Sequence, residues 1–156
     1  MLVQIEAVLN SRPLCAISSD PSDLNFLTPG HFLVGKSLTS FPEGDVTEIS
    51  ENRLDLWQKI TRIRQMFWKR WTVSYLNQLQ NRPKWLKNNP NLNVNDLVIL
   101  KEENTTPLNW PLARIIEICP GKDNRVRVVK VLTKNGVFTR PITKLCPLPD
   151  NVFVKG

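Results

Sequence analysis

The sequence predicts an α+β fold: an N-terminal short helix and connector, a long basic helix, then a small five-stranded SH3-like antiparallel β-barrel. Between residues 54 and 79, apolar side chains recur every three or four positions, which is the pattern of an amphipathic helix. After Asn88-Asn89-Pro90 the pattern changes to alternation at every second position, which indicates strands. Turn sequences separate these strands, and Asn135-Gly136 is a strong hairpin signal.

Residues 1–13 predict one short helix. Apolar residues at positions 2, 5, 8 and 9 have helical spacing, and the pattern stops at Asn10 because Pro13 disfavours helix in the residues before it. A helix of about nine residues is marginal alone, so its apolar side needs a partner.

Residues 14–51 are rich in Ser, Asp, Pro and Gly and predict an ordered connector with little regular structure. A connector of this length is rarely free, so its apolar residues should attach it to a core. They are Phe26, Leu27, Phe32, Leu33 and Leu38.

Residues 52–87 predict the long basic, aromatic helix. Glu51 or Asn52 can cap its start, and Arg82-Pro83 should end it near Asn81. Its buried stripe should comprise Leu54, Trp57, Thr61, Arg64, Trp68, Trp71 and Tyr75, so the indoles are interpreted as packing residues rather than as a stacking platform for bases. Four cations should then lie towards solvent: Lys59, Arg62, Lys69 and Arg70.

Residues 92–148 predict the barrel. Five strands are expected over 96–101, 112–118, 124–132, 136–140 and 142–145. In the third strand Val126 and Val128 share one face, whereas Val129 breaks the alternation. We therefore expect a β-bulge near Val128-Val129.

The charge is unevenly distributed along the chain, whose formal net charge is +7. Residues 1–51 contain two cations and seven acids, whereas residues 52–87 contain nine cations and one acid. Residues 88–156 contain ten cations and six acids. Such asymmetry favours a polyanionic partner for the middle and end of the chain, although a solvated basic face without function would have the same composition.

Two groups of cations are candidate DNA contacts. The helix contributes Arg62, Lys69 and Arg70, and the barrel strands contribute Arg125, Arg127, Lys130, Arg140 and Lys144. If the strands pair as predicted, several of the barrel cations form one positive face that contacts phosphates without reading sequence. The alternatives are ordinary solvated charge, or a methyl-lysine cage for which Trp110 and Phe138 are the available aromatics.

The sequence predicts no catalytic residue, metal site or cofactor. Phosphoryl chemistry with Mg²⁺ needs converging carboxylates, and the spacing of the acids predicts none. His31 is the only histidine and is interpreted as a structural loop residue, and Gly35-Lys36-Ser37 as a turn rather than a phosphate loop. The three widely spaced cysteines indicate reduced thiols in an intracellular protein, and neither a signal peptide nor a membrane-spanning segment is expected.

Several ordered blocks of the sequence resemble the end of the Pao/BEL-type LTR retrotransposon polyprotein. They are IEAVLNSRPL, DPSDLNFLTPGHFLVGKSL, FWKRWTVSYLNQLQNRPKW, NVNDLVILKEENTTPLNWPLARIIEICPGKDNRVRVVKV and GVFTRPITKLCPLP. Residues 1–13 resemble the last helix of a retroviral-type integrase catalytic core. The remainder is similar to the domain that follows that core, whose barrel is akin to the integrase C-terminal DNA-binding domain.

This resemblance implies DNA integration as the parent activity. In that family the catalytic glutamate lies upstream of the IEAVLNSRPL helix, so Glu6 is not catalytic and the acidic triad is absent from this fragment. We therefore expect a non-enzymatic DNA-binding and assembly module, with DNA and the remainder of the integrase or other subunits as partners, in the nucleus. The alternatives are a structural protein-interaction module and a chromatin-reader-like barrel.

Overall fold

The computed structural model describes residues 1–40, 43–80, 92–103, 105–121 and 126–149. Helical segments come first and a five-stranded antiparallel sheet follows, so the predicted α+β class is confirmed. The elements are α1 (Leu2–Asn10), β1 (Cys15–Ala16), β2 (Phe26–Leu27), α2 (Pro29–Val34), a 3₁₀ turn (Glu51–Arg53), α3 (Leu56–Leu79), β3 (Leu97–Leu100), β4 (Leu112–Pro120), β5 (Val126–Thr133), β6 (Gly136–Pro141), a second 3₁₀ turn (Ile142–Lys144) and β7 (Leu145–Pro147). The expectations for residues 81–87 and for Arg125 lie outside the described residues.

The connector contains more regular structure than its composition predicts. Its strands β1 and β2 pair antiparallel, with Cys15 opposite Leu27. Helix α2 has Thr28 as its N-cap and Gly35 as its C-cap, and the Gly35 φ of 74° is in the left-handed region. The hydroxyl of Tyr75 on α3 donates to the carbonyl of Pro13, which holds the connector's start against the long helix.

Helix α3 begins later than predicted, because Asp55 is its N-cap rather than Glu51 or Asn52. The Asp55 carboxylate accepts from the Gln58 backbone N–H at 2.7 Å, and the Gln58 side chain accepts from the Asp55 N–H at 3.0 Å. Residues 51–53 instead form a separate 3₁₀ turn. The helix ends at Leu79, two residues before the predicted stop.

The sheet has the order β6–β5–β4–β3–β7 and is open rather than a closed barrel. Within the described ranges, no pairing joins its two edge strands β6 and β7. The predicted last strand is also shifted: residues 142–144 form the 3₁₀ turn, and β7 pairs Cys146 with Ile99 on β3.

Two register irregularities change which side chains face the core. Between Ile115 and Glu117, β4 contains one residue more than β5, and between Val126 and Val128 the extra residue is Arg127 of β5. The predicted bulge is therefore present one residue earlier than expected, and a second one lies in β4. As a result Val126 and Val129 are buried, whereas Val128 is exposed.

Apolar residues are buried on both faces of β3. Leu97 and Ile99 pack with Trp68 and Leu76 of α3, and Trp110 belongs to the same cluster. The other cluster contains residues of β3, β4, β5 and β7: Val98, Leu100, Ala113, Ile115, Val126, Val129, Val131 and Leu145. One face of the sheet therefore encloses the cluster that contains Val98 and Leu100, and the other face packs against α3.

Candidate nucleic-acid interface

Helix α3 contains five cations and no acid in its 24 residues. Two of these cations are neutralised by the connector. The Arg64 guanidinium, which is buried, pairs with Glu43, and the Lys69 ammonium lies 3.2 Å from a carboxylate oxygen of Asp45. Lys69, predicted to face solvent, is therefore held by the connector.

Asp45 is the centre of this connector contact. Its carboxylate accepts hydrogen bonds from the backbone N–H of Thr47 at 2.9 Å and from the Thr47 hydroxyl at 2.6 Å. These bonds, and to a lesser extent Lys69, lower the pKa of Asp45. Lys69 also donates to the Thr47 hydroxyl at 2.8 Å, so an acidic turn of the connector is fixed on a basic helix.

The three other α3 cations are not neutralised by any described residue. Lys59, Arg62 and Arg70 make no ion pair within the parts of the chain that the structure describes. Arg70 is exposed, and Lys59 and Arg62 are half-buried. Their charge is therefore available to a partner outside the chain.

A groove of about 400 Å³ separates the second half of α3 from the sheet, and we call it the helix–sheet groove. Lys69 of α3, Lys101 after β3 and Lys144 before β7 all line it. The Lys101 ammonium donates to two neutral acceptors, the side-chain oxygens of Asn77 (3.2 Å) and Gln80 (2.5 Å), and makes no ion pair among the described residues. Lys144 makes no ion pair among the described residues. Two glutamates, Glu102 and Glu103, also line the groove.

The groove thus joins the predicted helix cations to the predicted barrel cations through Lys69 and Lys144. Sequence reasoning missed Lys101, although it directly follows four buried strand residues and so had to emerge at the end of a core strand. It also missed the pairing of the connector with α3, which the opposite charges of the two segments could have indicated.

Lys130 and Arg140 do not share the positive face that the sequence predicted for several of the sheet cations, and Arg125 lies outside the described residues. Lys130 lies opposite Thr139 and Arg140 lies opposite Val129, so Lys130 and Arg140 project from opposite faces of the sheet. Lys130 is also paired with Glu117 at 2.8 Å, and this hydrogen bond raises the pKa of the lysine. Arg127 is exposed at the β5 bulge.

An aromatic cage is not formed by Trp110 and Phe138. Trp110 is only 5% exposed, packs edge-on against Trp68 and Trp71, and its ring N–H lies 3.3 Å from the Ser11 hydroxyl. The Phe138 ring is partly exposed, but the Arg140 guanidinium already lies 5.2 Å from its centroid.

The helix tryptophans differ in role. Trp68 is 1% exposed and donates from its ring N–H to the Thr105 carbonyl at 3.0 Å, and Trp71 stacks on Tyr75, so both pack as predicted. Trp57 is 63% exposed, so its assignment to the buried stripe was wrong. It lies in the first turn of α3, where the helix is covered by little of the chain.

The sequence model of a family of unknown function, DUF5641, matches residues 55–148, which is more than half of the chain. The chain belongs to this family. The DUF5641 match begins at Asp55, the cap of α3, and ends at Leu148, a buried residue of the sheet core. It therefore spans both walls of the helix–sheet groove. No curated protein sequence and no solved structure matches the chain.

His31 lies outside the DUF5641 match and caps α2. Its Nδ1 accepts from the Thr28 backbone N–H at 3.0 Å, so in the neutral ring the proton is on Nε2, which lies 3.3 Å from the Ser37 hydroxyl. A protonated Nε2 cannot take a proton from Ser37, and His31 lies in α2 as part of its capping box rather than in the loop that the sequence predicted.

Over the described ranges, no three His, Cys, Asp or Glu side chains converge as metal ligands would. In the same ranges no helix combines the length and apolar character needed to cross a bilayer.

Proposed function

We propose that the chain is a non-catalytic DNA-binding and assembly module of a Pao/BEL-type retrotransposon integrase, acting in DNA integration in the nucleus. The observation that carries this proposal is that Lys101 and Lys144, neither of which makes an ion pair among the described residues, converge on the helix–sheet groove beside Lys69, which is paired with Asp45. Ammonium groups bind phosphate oxygens through charge, without requiring a base sequence. The uncompensated Arg62, on the same side of α3 as Lys69, extends the positive surface beyond the groove.

In this proposal the curled sheet is the counterpart of the SH3-like barrel in the integrase C-terminal domain. Helix α1 is the counterpart of the last helix of the catalytic core, and the remainder of the integrase is the protein partner. The chain itself supplies binding and positioning, and the acidic triad belongs to the parent integrase.

A salt titration of DNA binding tests the proposal. Affinity for a fluorescent 20-bp duplex is measured by anisotropy between 50 and 200 mM salt. Each neutralised phosphate contributes about −0.9 to the logarithmic salt slope, so three or four contacts predict an affinity loss of about 40- to 150-fold. Affinity that is absent, or unchanged over this range, would contradict phosphate binding.

A pair of double variants locates the site. Lys101→Gln/Lys144→Gln removes two groove lysines and should make the slope shallower by about 1.8. The control Lys130→Gln/Lys134→Gln changes the net charge equally but lies outside the groove, and its slope should stay near that of the unmodified chain. Equal effects of the two double variants would contradict the groove as the DNA site.

A structural protein-interaction role is the second candidate, because α3 exposes several large apolar side chains. The chromatin-reader alternative has less support, since Phe138 is its one partly exposed aromatic and carries Arg140 on its ring. A pull-down with methyl-lysine peptides tests it.

A further inference from the structure

The outward side of α3 has an exposed row of residues at alternating intervals of three and four. We call it the heptad seam, and it consists of Leu56, Lys59, Ile63, Met66, Arg70 and Val73. Its four apolar members are exposed: Leu56 by 78%, Ile63 by 46%, Met66 by 46% and Val73 by 60%. The helix packs on the chain through its other side, where Thr61, Gln65, Trp68 and Thr72 are buried.

This spacing is that of the a and d positions of a coiled coil, which one helix presents to another. Within the seam, two sets of residues each repeat every seven positions. They are Leu56, Ile63 and Arg70, and Lys59, Met66 and Val73. The seam covers 18 residues, or about 27 Å of helix at 1.5 Å per residue. Its helix is already held by the rest of the fold, so a partner would not have to order it.

We propose that the heptad seam binds an acidic, heptad-patterned helix of a partner protein. The inference goes beyond DNA binding and does not rest on it. The four exposed apolar side chains would be buried by contact with an apolar helix surface, whereas phosphates would not bury them. The seam is therefore better suited to binding a protein than a nucleic acid.

The charges of the seam select against a second copy of this chain. In a parallel pair each seam residue meets its own copy, so Lys59 would face Lys59 and Arg70 would face Arg70. In an antiparallel pair Lys59 would face Arg70. Both arrangements bring like charges together in a partly dehydrated interface, whereas acids at those positions of another helix would neutralise them.

The flanks of the seam lead to the same partner. Arg62 occupies a g position, a kind of position that forms salt bridges with the facing helix of a coiled coil, whereas Lys69 at the next g position is already paired with Asp45. The chain's own connector already uses this chemistry, because Asp45 is bound by Lys69 and Glu43 by Arg64. An acidic helix would extend that pattern along the exposed side.

The test uses the full chain and a synthetic 21-residue peptide with Leu at its seam positions and Glu opposite the seam and flank cations. A second peptide has Lys in place of every Glu. Binding is measured by the anisotropy of a label on the peptide. We expect the Glu peptide to bind at least 10-fold more tightly than the Lys peptide.

Variants that keep the net charge test whether the peptide binds at the seam. Ile63→Ser and Met66→Ser should each weaken binding of the Glu peptide about 10-fold, whereas Val137→Ser, at a comparably exposed site on β6, should leave its affinity unchanged. Because all three residues are exposed, urea unfolding should remain near that of the unmodified chain. None of these variants changes net charge, so the DNA salt slope stays constant, and failure here is distinguishable from failure of DNA binding.

Three outcomes would overturn the proposal. They are equal affinity for the two peptides, equal effects of Met66→Ser and Val137→Ser, and self-association of the chain that Ile63→Ser abolishes. The last outcome would assign the seam to a second copy instead.

Discussion

Arg114 on β4 is a buried cation that joins the sheet to the connector, and its removal should be costly. The residue is 2% exposed. Its guanidinium donates to the backbone carbonyl of Asn95 at 2.9 Å and to the carbonyls of Asp23 at 2.5 Å and Ser18 at 3.2 Å. The perturbation is Arg114→Met, which keeps the length of the side chain and removes its donors.

The variant leaves the carbonyl oxygens of Asn95 and Asp23 without their donor, and this sets the expected loss of stability. A hydrogen bond from a charged donor contributes about 1.5–3 kcal/mol, so the bonds to Asp23 and Asn95 together contribute about 3–6 kcal/mol. The cost of dehydrating the guanidinium offsets part of this, because Nε of Arg114 has no partner among the described residues. We therefore expect Arg114→Met to lower the free energy of unfolding by about 3 kcal/mol.

Urea unfolding followed by tryptophan fluorescence measures this loss. At a typical slope of about 2 kcal/mol per molar urea, the midpoint should fall by about 1.5 M. The matched control is Lys130→Met, which removes an exposed β5 cation paired with Glu117 and should cost less than about 1 kcal/mol. A loss below 1 kcal/mol for Arg114→Met, or equal losses in both variants, would refute the reasoning.

Three further predictions concern the core, a buried thiol and one turn. Trp68→Ala should cost about 3–5 kcal/mol in urea unfolding, whereas Trp57→Ala, at an exposed site, should change stability by less than about 0.5 kcal/mol. Burial raises the pKa of the Cys146 thiol from 9.0 to about 11, so the unfolded chain releases this proton first as pH rises. The free energy of unfolding should therefore fall by about 2 kcal/mol between pH 9 and 11, and below pH 9 this contribution should be fully present. The measurement is the difference in unfolding free energy between the unmodified chain and Cys146→Ala at each pH. Gly136 has a φ of 121°, so Gly136→Ala should destabilise the β5–β6 hairpin by about 1–2 kcal/mol, visible as a lower melting temperature.

Local patterns were sufficient to predict the helix and the antiparallel strands. The stripe of α3 is recognisable because its members from Thr61 to Tyr75 pack on one surface, and the strands because alternation continues over several residues. Trp57 was assigned wrongly because it continues the same spacing beyond the point where the chain covers the helix. Helical spacing identifies a face, but burial depends on what lies against that face.

The sheet cations show why the site was harder to predict than the fold. One extra residue in β5 and one in β4 shift the alternation, and each shift moves the following side chains to the opposite face. Lys130 and Arg140 separate for another reason: the β5–β6 hairpin places Lys130 opposite Thr139 and Arg140 opposite Val129, although both were candidates for one positive face. Lys69 and Lys144 meet in the helix–sheet groove only because α3 packs against β7, a contact between elements distant in sequence that no local pattern encodes.

The central claim, that DNA lies in the helix–sheet groove, is tested most directly by lysine footprinting. The full chain is acetylated briefly with and without a 20-bp duplex at low salt, and the modification of each lysine is measured by mass spectrometry. We predict several-fold protection of Lys101 and Lys144 by DNA, with Lys130 and Lys134 unchanged. Unchanged Lys101 and Lys144, or equal protection of all four lysines, would contradict the claim.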